Sequence, residues 1–266
     1  MRGLRQRIRR GDLVLGQMVL ELFTPGIGPM LAACGMDFVI FDMEHGRCDI
    51  GLMSEMITSC RGCDIFPMVR VPDVSYSPLS RVLDLGARGV MVPRVETRQQ
   101  AEDIVAQLKY APQGRRGVVL GVAHDLYQAG GPGVFAEINE EIVVILLLET
   151  VKAFENLEEI AAVSGVDVAW MGHYDLTVSM GIPAQFDHPR FLAAMDTLVS
   201  TCRRHGVAPG FLPPNADAAL RWIEKGFLVL SLGSDIGVFQ EAVRGFRATV
   251  AQGRANRQLN TGADPS

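Results

Sequence analysis

Short apolar runs rich in valine and isoleucine alternate along this chain with longer stretches of helical periodicity. The runs predict strands over residues 14–20, 38–42, 65–70, 89–92, 142–149, 168–171, 207–211 and 228–232. The longer stretches predict helices over residues 28–34, 50–61, 78–85, 97–109, 156–163, 189–205, 216–225 and 235–252. Eight alternating units of this kind predict an α/β fold, a (β/α)8 or TIM barrel around a parallel sheet.

The ends of several predicted helices carry the residues that usually start or stop a helix. Thr97 and Asp235 are expected as N-caps, and glycines follow four helices at positions 35, 86, 206 and 226. Residues 110–141 break the rhythm and predict a long loop that covers the site or reaches a neighbouring subunit. One barrel domain is therefore expected over residues 1–254, with a polar, flexible tail over 255–266.

Length and charge narrow the class of protein. A chain of 266 residues can bury roughly 75% of its unfolded surface in one domain. The net charge is -5, and the arginines are scattered along the sequence, so nucleic acid is not expected as a partner. The basic N-terminus leads into only a short, interrupted apolar run over 13–20. That run predicts neither a signal peptide nor a membrane span.

The cysteines favour a cytoplasmic protein with free thiols. Five cysteines are an odd number in a chain of this length, which is typical of a reducing compartment. Cys60 and Cys63 form a CxxC pair, but no second CxxC or CxxH motif follows it. The pair is therefore not expected to hold zinc.

Charged residues end four of the eight predicted strands, where TIM barrels carry their chemistry. These residues are Asp42, Arg70, Glu149 and, after a short turn, Asp175. Such charges can simply solvate strand ends. Glu149, however, follows seven consecutive apolar residues, and a carboxylate buried there needs a cation beside it. Arg70 and a metal ion are the two candidates.

Glu149 and Asp175 end adjacent strands and form the best candidate metal pair. Two oxygen ligands leave room for water and substrate, which suits Mg2+ or Mn2+ better than structural zinc. His45 and His173 form no HxH or HExxH cluster, and a lone histidine is more often structural. The chain has only three lysines, at 109, 152 and 225, and none is well placed for a Schiff base. Metal-assisted enolisation is the remaining route to an enolate.

Four motifs, in order, resemble one family. Asp42-Met-Glu-His45, Pro67-Met-Val-Arg70, Glu149-Thr150 and Gly172-His-Tyr-Asp175-Leu resemble the class II pyruvate aldolases of the HpcH/HpaI family, over about residues 16–245. The resemblance implies a phosphoenolpyruvate/pyruvate-type TIM barrel with a swapped C-terminal helix, assembled as a hexamer. It also implies a lyase that requires Mg2+, Mn2+ or Co2+ and acts on small 2-oxo acids.

The resemblance further implies a role for each matching residue. Glu149 and Asp175 match the metal ligands, and Arg70 matches the arginine that stabilises the pyruvate enolate. His45 matches the base that deprotonates the C4 hydroxyl, with Asp42 beside it. Backbone N–H groups over 172–175, including those of His173 and Tyr174, match the site for the pyruvate carboxylate. Asp84 matches an aspartate that orients the base, and its position before strand four requires that it act from another subunit.

The sequence departs from the family at His173 and Tyr174, where relatives commonly have proline and a small residue. Tyr174 is expected to reshape the aldehyde pocket. The function expected is reversible cleavage of a 4-hydroxy-2-oxo acid to pyruvate and an aldehyde through a metal-bound pyruvate enolate. One alternative is an oxaloacetate decarboxylase or another carbon–carbon lyase using the same enolate. A citrate-lyase-like enzyme acting on a CoA thioester is disfavoured, because no basic pocket for CoA phosphates is evident. A non-catalytic metabolite-binding barrel is the second alternative, and the retention of His45 argues against it.

Overall fold

Eight parallel strands close into a barrel in the order β1 to β8, as the alternating pattern predicts. This computed structural model describes residues 3–128, 130–131 and 133–261. The strands are β1 (Val14–Val19), β2 (Phe38–Asp42), β3 (Phe66–Arg70), β4 (Gly89–Val92), β5 (Val143–Leu148), β6 (Val168–Met171), β7 (Ala208–Phe211) and β8 (Val229–Ser234). Each lies within two residues of its predicted bounds. The predicted (β/α)8 barrel is therefore confirmed.

Helices connect the strands and cover the outside of the barrel. They are α1 (Leu4–Arg10), α2 (Ile27–Ala33), α3 (Ile50–Ser59), α4 (Tyr76–Asp84), α5 (Arg98–Leu108), α6 (Val134–Glu141), α7 (Val151–Glu155), α8 (Leu157–Ala161), α9 (His173–Ser179), α10 (Pro189–His205), α11 (Ala216–Lys225) and α12 (Asp235–Thr261). The helix α12 continues into the predicted tail, and residues 262–266 lie outside the described residues. Among the described residues, no helix is long and apolar enough to cross a membrane.

The helix-end signals were mostly correct. Thr97 forms a capping box with Gln100, and the glycines at 35, 86, 206 and 226 all have positive φ. Asp235 differs, because its carboxylate accepts N–H groups of residues 20, 21 and 22 at 2.7–3.0 Å. It therefore fixes the chain leaving β1, where an N-cap of α12 was predicted.

The predicted loop over 110–141 was wrong in its second half. It contains a 3₁₀ turn (Ala123–Asp125) and α6, which leads into β5. The sequence did not predict α6 because the glycines at 130, 131 and 133 lie directly before it, and such a cluster is typical of a loop.

The core has two layers that follow the alternation of side chains along each strand. Phe38 and Ile40 of β2 point into the barrel, whereas Val39 and Phe41 pack under the surrounding helices. The unpredicted helix α1 closes the amino-terminal end of the barrel, where Leu4 joins the interior cluster. The opposite, carboxyl end is left for polar side chains.

Candidate active site

Asp42 and Arg70 end neighbouring strands and form the most buried ion pair at the carboxyl end of the barrel. They lie at paired positions of β2 and β3. Arg70 donates from Nε to Asp42 Oδ1 at 2.8 Å and from Nη2 to Asp42 Oδ2 at 2.6 Å. The fork of the guanidinium matches both carboxylate oxygens, so this pair fixes the orientation of Arg70. Asp42 therefore acts on Arg70 rather than on the imidazole of His45.

Glu44 lies on the other side of Arg70 and was not singled out from the sequence. Its Oε2 is 3.3 Å from Arg70 Nη1 and is buried without a hydrogen-bond partner within the described part of the chain. Burial raises the pKa of Glu44, while the charge of Arg70 opposes that rise. Glu44 thus adds a second carboxylate, with one unsatisfied oxygen, to the site.

His45 follows directly and is far more accessible than its neighbours. Its side chain is 57% exposed, and its Nε2 lies 3.8 Å from Glu44 Oε2. Its backbone N–H points to Asp42 Oδ1 at 3.4 Å. No described residue forms a hydrogen bond with the imidazole ring, so the ring is free to meet a substrate or a second protein chain.

Glu149 lies just past β5, at the base of the site, with 5% of its surface exposed. Its Oε1 accepts the backbone N–H of Arg94 at 2.8 Å. Burial raises the pKa of Glu149 to about 7; the Arg94 N–H opposes the rise, and the nearby carboxylates of Glu44 and Asp175 add to it. Such a carboxylate is well suited to a positively charged ligand.

Gly172 allows this crowding of carboxylates. A Cβ atom at position 172 would lie 2.5 Å from Glu149 Cβ and 2.7 Å from Glu149 Oε2. Any other residue would therefore displace Glu149. The next residues begin α9, and Asp175 shares with Glu149 a cleft of about 420 Å³ that also contains Arg94 and Glu96.

His173 and Tyr174 start α9 beside this cleft. The His173 ring lies 5.2 Å from the rings of Phe186 and Phe211, and burial lowers its pKa to about 4. It is therefore neutral and packed as an aromatic side chain. Tyr174 contacts Phe186 edge-on, but 61% of its surface remains exposed. The two rings form an aromatic wall next to Asp175.

The backbone of α9 also leaves donors free at its start. The first hydrogen bond of the helix runs from Leu176 N to Gly172 O at 2.9 Å. The N–H groups of His173, Tyr174 and Asp175 precede that bond and have no acceptor inside the helix. They are the donors matched above to a substrate carboxylate.

The carboxylates fit a divalent cation. Glu44, Glu149 and Asp175 surround one region, and Arg70, its buried cation among the described residues, is already paired with Asp42. No group of three or more His, Cys, Asp or Glu side chains in the described ranges is arranged to hold a metal. Glu149 and Asp175 offer two oxygen ligands, a number that would leave further positions for water and substrate, as Mg2+ and Mn2+ commonly require.

Asp84 and Lys109 lie away from this site, whereas Lys152 pairs with Glu96 at the edge of the cleft. Asp84 ends α4 and pairs with Arg116 at 2.6 Å. Lys109 is buried and its pKa is lowered to about 7, but its Nζ donates to Asn139 O and Ile142 O at the amino end of β5. Lys152 is exposed and pairs with Glu96 at 3.1 Å. No lysine among the described residues lies against Arg70 and Glu149.

A second cavity, of about 620 Å³, does not belong to this site. Its lining includes Arg88 and Ile142, which precede β4 and β5, together with Arg116 and residues 123–126. Its walls mix arginines with carboxylates and include neither Glu149 nor Asp175. The chemistry is therefore assigned to the smaller cleft at the carboxyl ends of the strands.

Comparisons with known proteins agree with the fold and narrow the activity. A model of the family described as HpcH/HpaI aldolase/citrate lyase matches residues 18–242. A 5-keto-4-deoxy-D-glucarate aldolase from Klebsiella pneumoniae is 32% identical over 215 residues, which cover 81% of this chain and 84% of that enzyme.

Two solved structures extend the comparison. The HpcH/HpaI aldolase from Desulfitobacterium hafniense DCB-2 has a TM-score of 0.88 and 30% identity, covering 94% of this chain and 97% of that one. The citrate synthase SbnG has a TM-score of 0.85 and 30% identity, covering 95% and 99%. This chain thus resembles enzymes that break or form a carbon–carbon bond.

Proposed function

The chain belongs to the HpcH/HpaI aldolase/citrate lyase family, and we propose that it is a divalent-metal-dependent aldolase that cleaves a 4-hydroxy-2-oxo acid reversibly to pyruvate and an aldehyde. One observation carries this proposal. One end of the barrel brings together Arg70, which Asp42 holds in place, and the accessible His45. The carboxylates of Glu44, Glu149 and Asp175 lie beside them. That set contains a base, a stabiliser of negative charge and a cation site.

Each side chain has a step in the cleavage. His45, acting with a water, takes the proton of the C4 hydroxyl. The C3–C4 bond then breaks, C4 becomes the aldehyde, and the electron pair moves through C3 to the C2 oxygen, giving the pyruvate enolate. Arg70, held by Asp42, faces that oxygen and stabilises its charge. A proton added to C3 completes pyruvate.

The remaining groups hold the substrate. The free N–H groups at the start of α9, from His173 to Asp175, are proposed to bind the C1 carboxylate. Glu149 and Asp175 would hold the divalent ion, which supplies Lewis-acid stabilisation of the developing negative charge. Tyr174, exposed beside these donors, is expected to limit the aldehydes that fit.

An assembly of several copies is part of the proposal. Asp84 is 32% exposed, and its Oδ2 accepts no hydrogen bond from the described residues. The ring of His45, which follows the carboxyl end of β2, forms no hydrogen bond with a described residue, whereas Asp84 ends the helix that leads into the amino end of β4. Contact between the two in neighbouring subunits would satisfy both, which supports the hexamer expected from the family. The five free thiols support a cytoplasmic location.

A second candidate function uses the same pyruvate enolate in a different reaction. The 30% identity to the citrate synthase SbnG favours a reaction that joins a carbon–carbon bond. Oxaloacetate decarboxylation would reach the same enolate by loss of CO2.

A substrate panel tests the proposal and ranks the candidates. EDTA-treated protein would be given a series of 4-hydroxy-2-oxo acids and oxaloacetate, each with Mg2+, Mn2+ or Co2+, and pyruvate would be measured with lactate dehydrogenase. We expect metal-dependent pyruvate release from at least one 4-hydroxy-2-oxo acid. Turnover of oxaloacetate alone would favour the decarboxylase. Pyruvate release that survives EDTA, with reductive trapping on Lys152 by borohydride, would reject the metal-dependent route.

A further inference from the structure

Arg116 is a buried arginine outside the site just described, and its main contact is Asp84. Its side chain is 1% exposed, and its Nη2 donates to Asp84 Oδ1 at 2.6 Å. The guanidinium also lies over the ring of Tyr110, 4.6 Å from the ring centroid. Its Nε is buried with no hydrogen-bond partner in the described part of the chain. Burying a guanidinium is costly unless it is paired with an opposite charge, and Asp84 is the carboxylate that pairs with it here.

The backbone holds Arg116 firmly against α4. Arg116 N donates to Lys109 O at 2.9 Å, and Gly117 N donates to Tyr76 Oη at 2.8 Å. Tyr76 begins α4 and Asp84 ends it. Gly117 is therefore bound to the first residue of α4, and the side chain of Arg116 is bound to its last residue, Asp84. These two contacts leave the Arg116 side chain little freedom.

The other charged or titratable groups nearby do not replace Arg116 as the partner of Asp84. The pKa of His124 is lowered by its burial and by the charge of Arg116, and its Nε2 lies 3.4 Å from Tyr110 Oη. Asp125 accepts the N–H of Gly121 through Oδ2. Tyr76 is engaged by Gly117. Arg116 is thus the residue that orients Asp84 among those the structure describes.

The ion pair with Arg116 engages only one of the two carboxylate oxygens of Asp84. Oδ1 is fixed by Arg116, whereas Oδ2 accepts no hydrogen bond from a described residue, and the side chain as a whole is 32% exposed. An aspartate at a helix end otherwise samples several rotamers, and ordering it costs conformational entropy at the moment of contact. A buried, immobile arginine removes that cost beforehand.

We infer that Arg116 is a positioning residue that fixes Asp84 so that its free oxygen can accept an N–H of the His45 ring in a neighbouring subunit. This inference rests on the proposed aldolase and on its contact between Asp84 and His45. A carboxylate on one ring nitrogen leaves the other nitrogen free to take the C4 hydroxyl proton, and it stabilises the imidazolium that results. Arg116 never touches the substrate. Its effect reaches the reaction through Asp84.

The test compares two reactions that share the enolate. Aldol cleavage needs a base for the hydroxyl proton, whereas oxaloacetate decarboxylation has no hydroxyl to deprotonate. Arg116→Gln should lower kcat for aldol cleavage by about 10- to 100-fold, the usual effect of losing a residue that orients a catalytic group. KM for the 4-hydroxy-2-oxo acid and the rate of decarboxylation should stay within about twofold. Arg116→Lys should recover part of kcat.

Arg115→Gln is the matched control, because it removes the neighbouring arginine, which is exposed and pairs with Asp103 at 2.8 Å, and leaves Asp84 and Arg116 in place. It should leave both reactions unchanged. The inference is overturned by an equal fall of both reactions in Arg116→Gln, by loss of the oligomer in both Arg116 variants, or by an unchanged kcat in Arg116→Gln.

Asp84→Asn distinguishes the role of Arg116 from the proposed contact between Asp84 and His45 on which it rests. It should lower aldol kcat at least as much as Arg116→Gln, and the double variant should match Asp84→Asn alone, because the two residues act through one contact. A strong effect of Asp84→Asn with none from Arg116→Gln would overturn the role of Arg116 only. No effect from either variant, in an enzyme that cleaves the substrate, would overturn the proposed contact with His45 as well.

Discussion

At the scale of single residues, His45 and Arg70 differ mainly in how firmly they are held. Arg70 is 11% exposed and bound at both nitrogens of its fork by Asp42. His45 is 57% exposed. A group that stabilises charge works best when it is fixed in advance, whereas a base must reach solvent or substrate to exchange its proton. The structure thus favours different steps for the two residues.

Replacing each residue by alanine should separate these steps. His45→Ala should lower aldol cleavage by about 10² to 10⁴, the usual contribution of a general base, and spare most oxaloacetate decarboxylation. Arg70→Ala should lower both reactions, because both pass through the same enolate oxygen. Steady-state rates of the two reactions in folded protein would measure this. Equal losses in His45→Ala would show that His45 is not the base.

Most residues of the candidate site could be proposed from the sequence, but not all of them. Asp42, Arg70, Glu149 and Asp175 could be found because each follows an apolar strand. Glu44 lies two residues past β2, in a turn whose direction the pattern does not reveal. Its burial against Arg70 depends on the fold of that turn. The N–H of Arg94, which binds Glu149, carries no signal in the sequence.

At the scale of elements, the eight strands were predictable, whereas α1, α6, α7 and α9 were not among the predicted helices. Strands of a parallel barrel are buried on both faces and appear as continuous apolar runs, which the 142–149 segment illustrates well. The helix α1 was interpreted only as a basic N-terminal segment, because four of its seven residues are arginine. Its packing depends on a distant contact: Arg5 pairs with Asp167 at 2.9 Å, and both side chains are buried.

Lys109 lies beside that contact and predicts how stability changes with pH. Burial, reinforced by the charges of Arg5 and Arg9, lowers its pKa from 10.5 to about 7 in the folded protein. Between pH 7 and 10.5 Lys109 is protonated in the unfolded chain and largely neutral in the native protein. The contribution of Lys109 to the free energy of unfolding therefore rises with pH over this range. In wild type the free energy of unfolding should rise by roughly 1 kcal/mol per pH unit in this range because of Lys109, and Lys109→Met should remove that rise.

Urea denaturation of both proteins at several pH values from about 7 to 10 would measure the difference. Lys225→Met provides the control, because Lys225 is an exposed lysine paired with Asp196. The same pH dependence in wild type and Lys109→Met would contradict the assignment.

At the scale of the whole molecule, one face of the last helix, α12, has no partner among the residues that the structure describes. Apolar residues recur along α12 with a spacing of three or four, and Phe239, Val243, Phe246 and Val250 are 50–79% exposed. A helix with an exposed apolar stripe usually packs against another element. The sequence predicted this helix from its pattern. Its expected exchange with a neighbouring subunit came from family resemblance, because one chain alone cannot reveal what covers the stripe.

A single charge on that stripe should weaken the assembly. The wild type is expected to have a mass several times 28.9 kDa by light scattering, and Phe246→Asp should shift it toward the monomer. Gln252→Asp places the same charge on the opposite face of α12 and should leave the mass unchanged. A wild-type monomer with full aldolase activity would remove both α12 and Asp84 from the account.

Glu149 is the residue proposed to hold the divalent ion on which turnover would depend. Glu149 and Glu96 line the same cleft, but Glu96 is already engaged by Lys152 and Thr150. The direct test is a titration of EDTA-treated protein with Mn2+, in which binding by calorimetry and pyruvate release from a 4-hydroxy-2-oxo acid are measured on the same samples. Wild type and Glu96→Gln should bind the ion and regain activity together, while Glu149→Gln should lose both. Full Mn2+-dependent activity in Glu149→Gln would contradict the account.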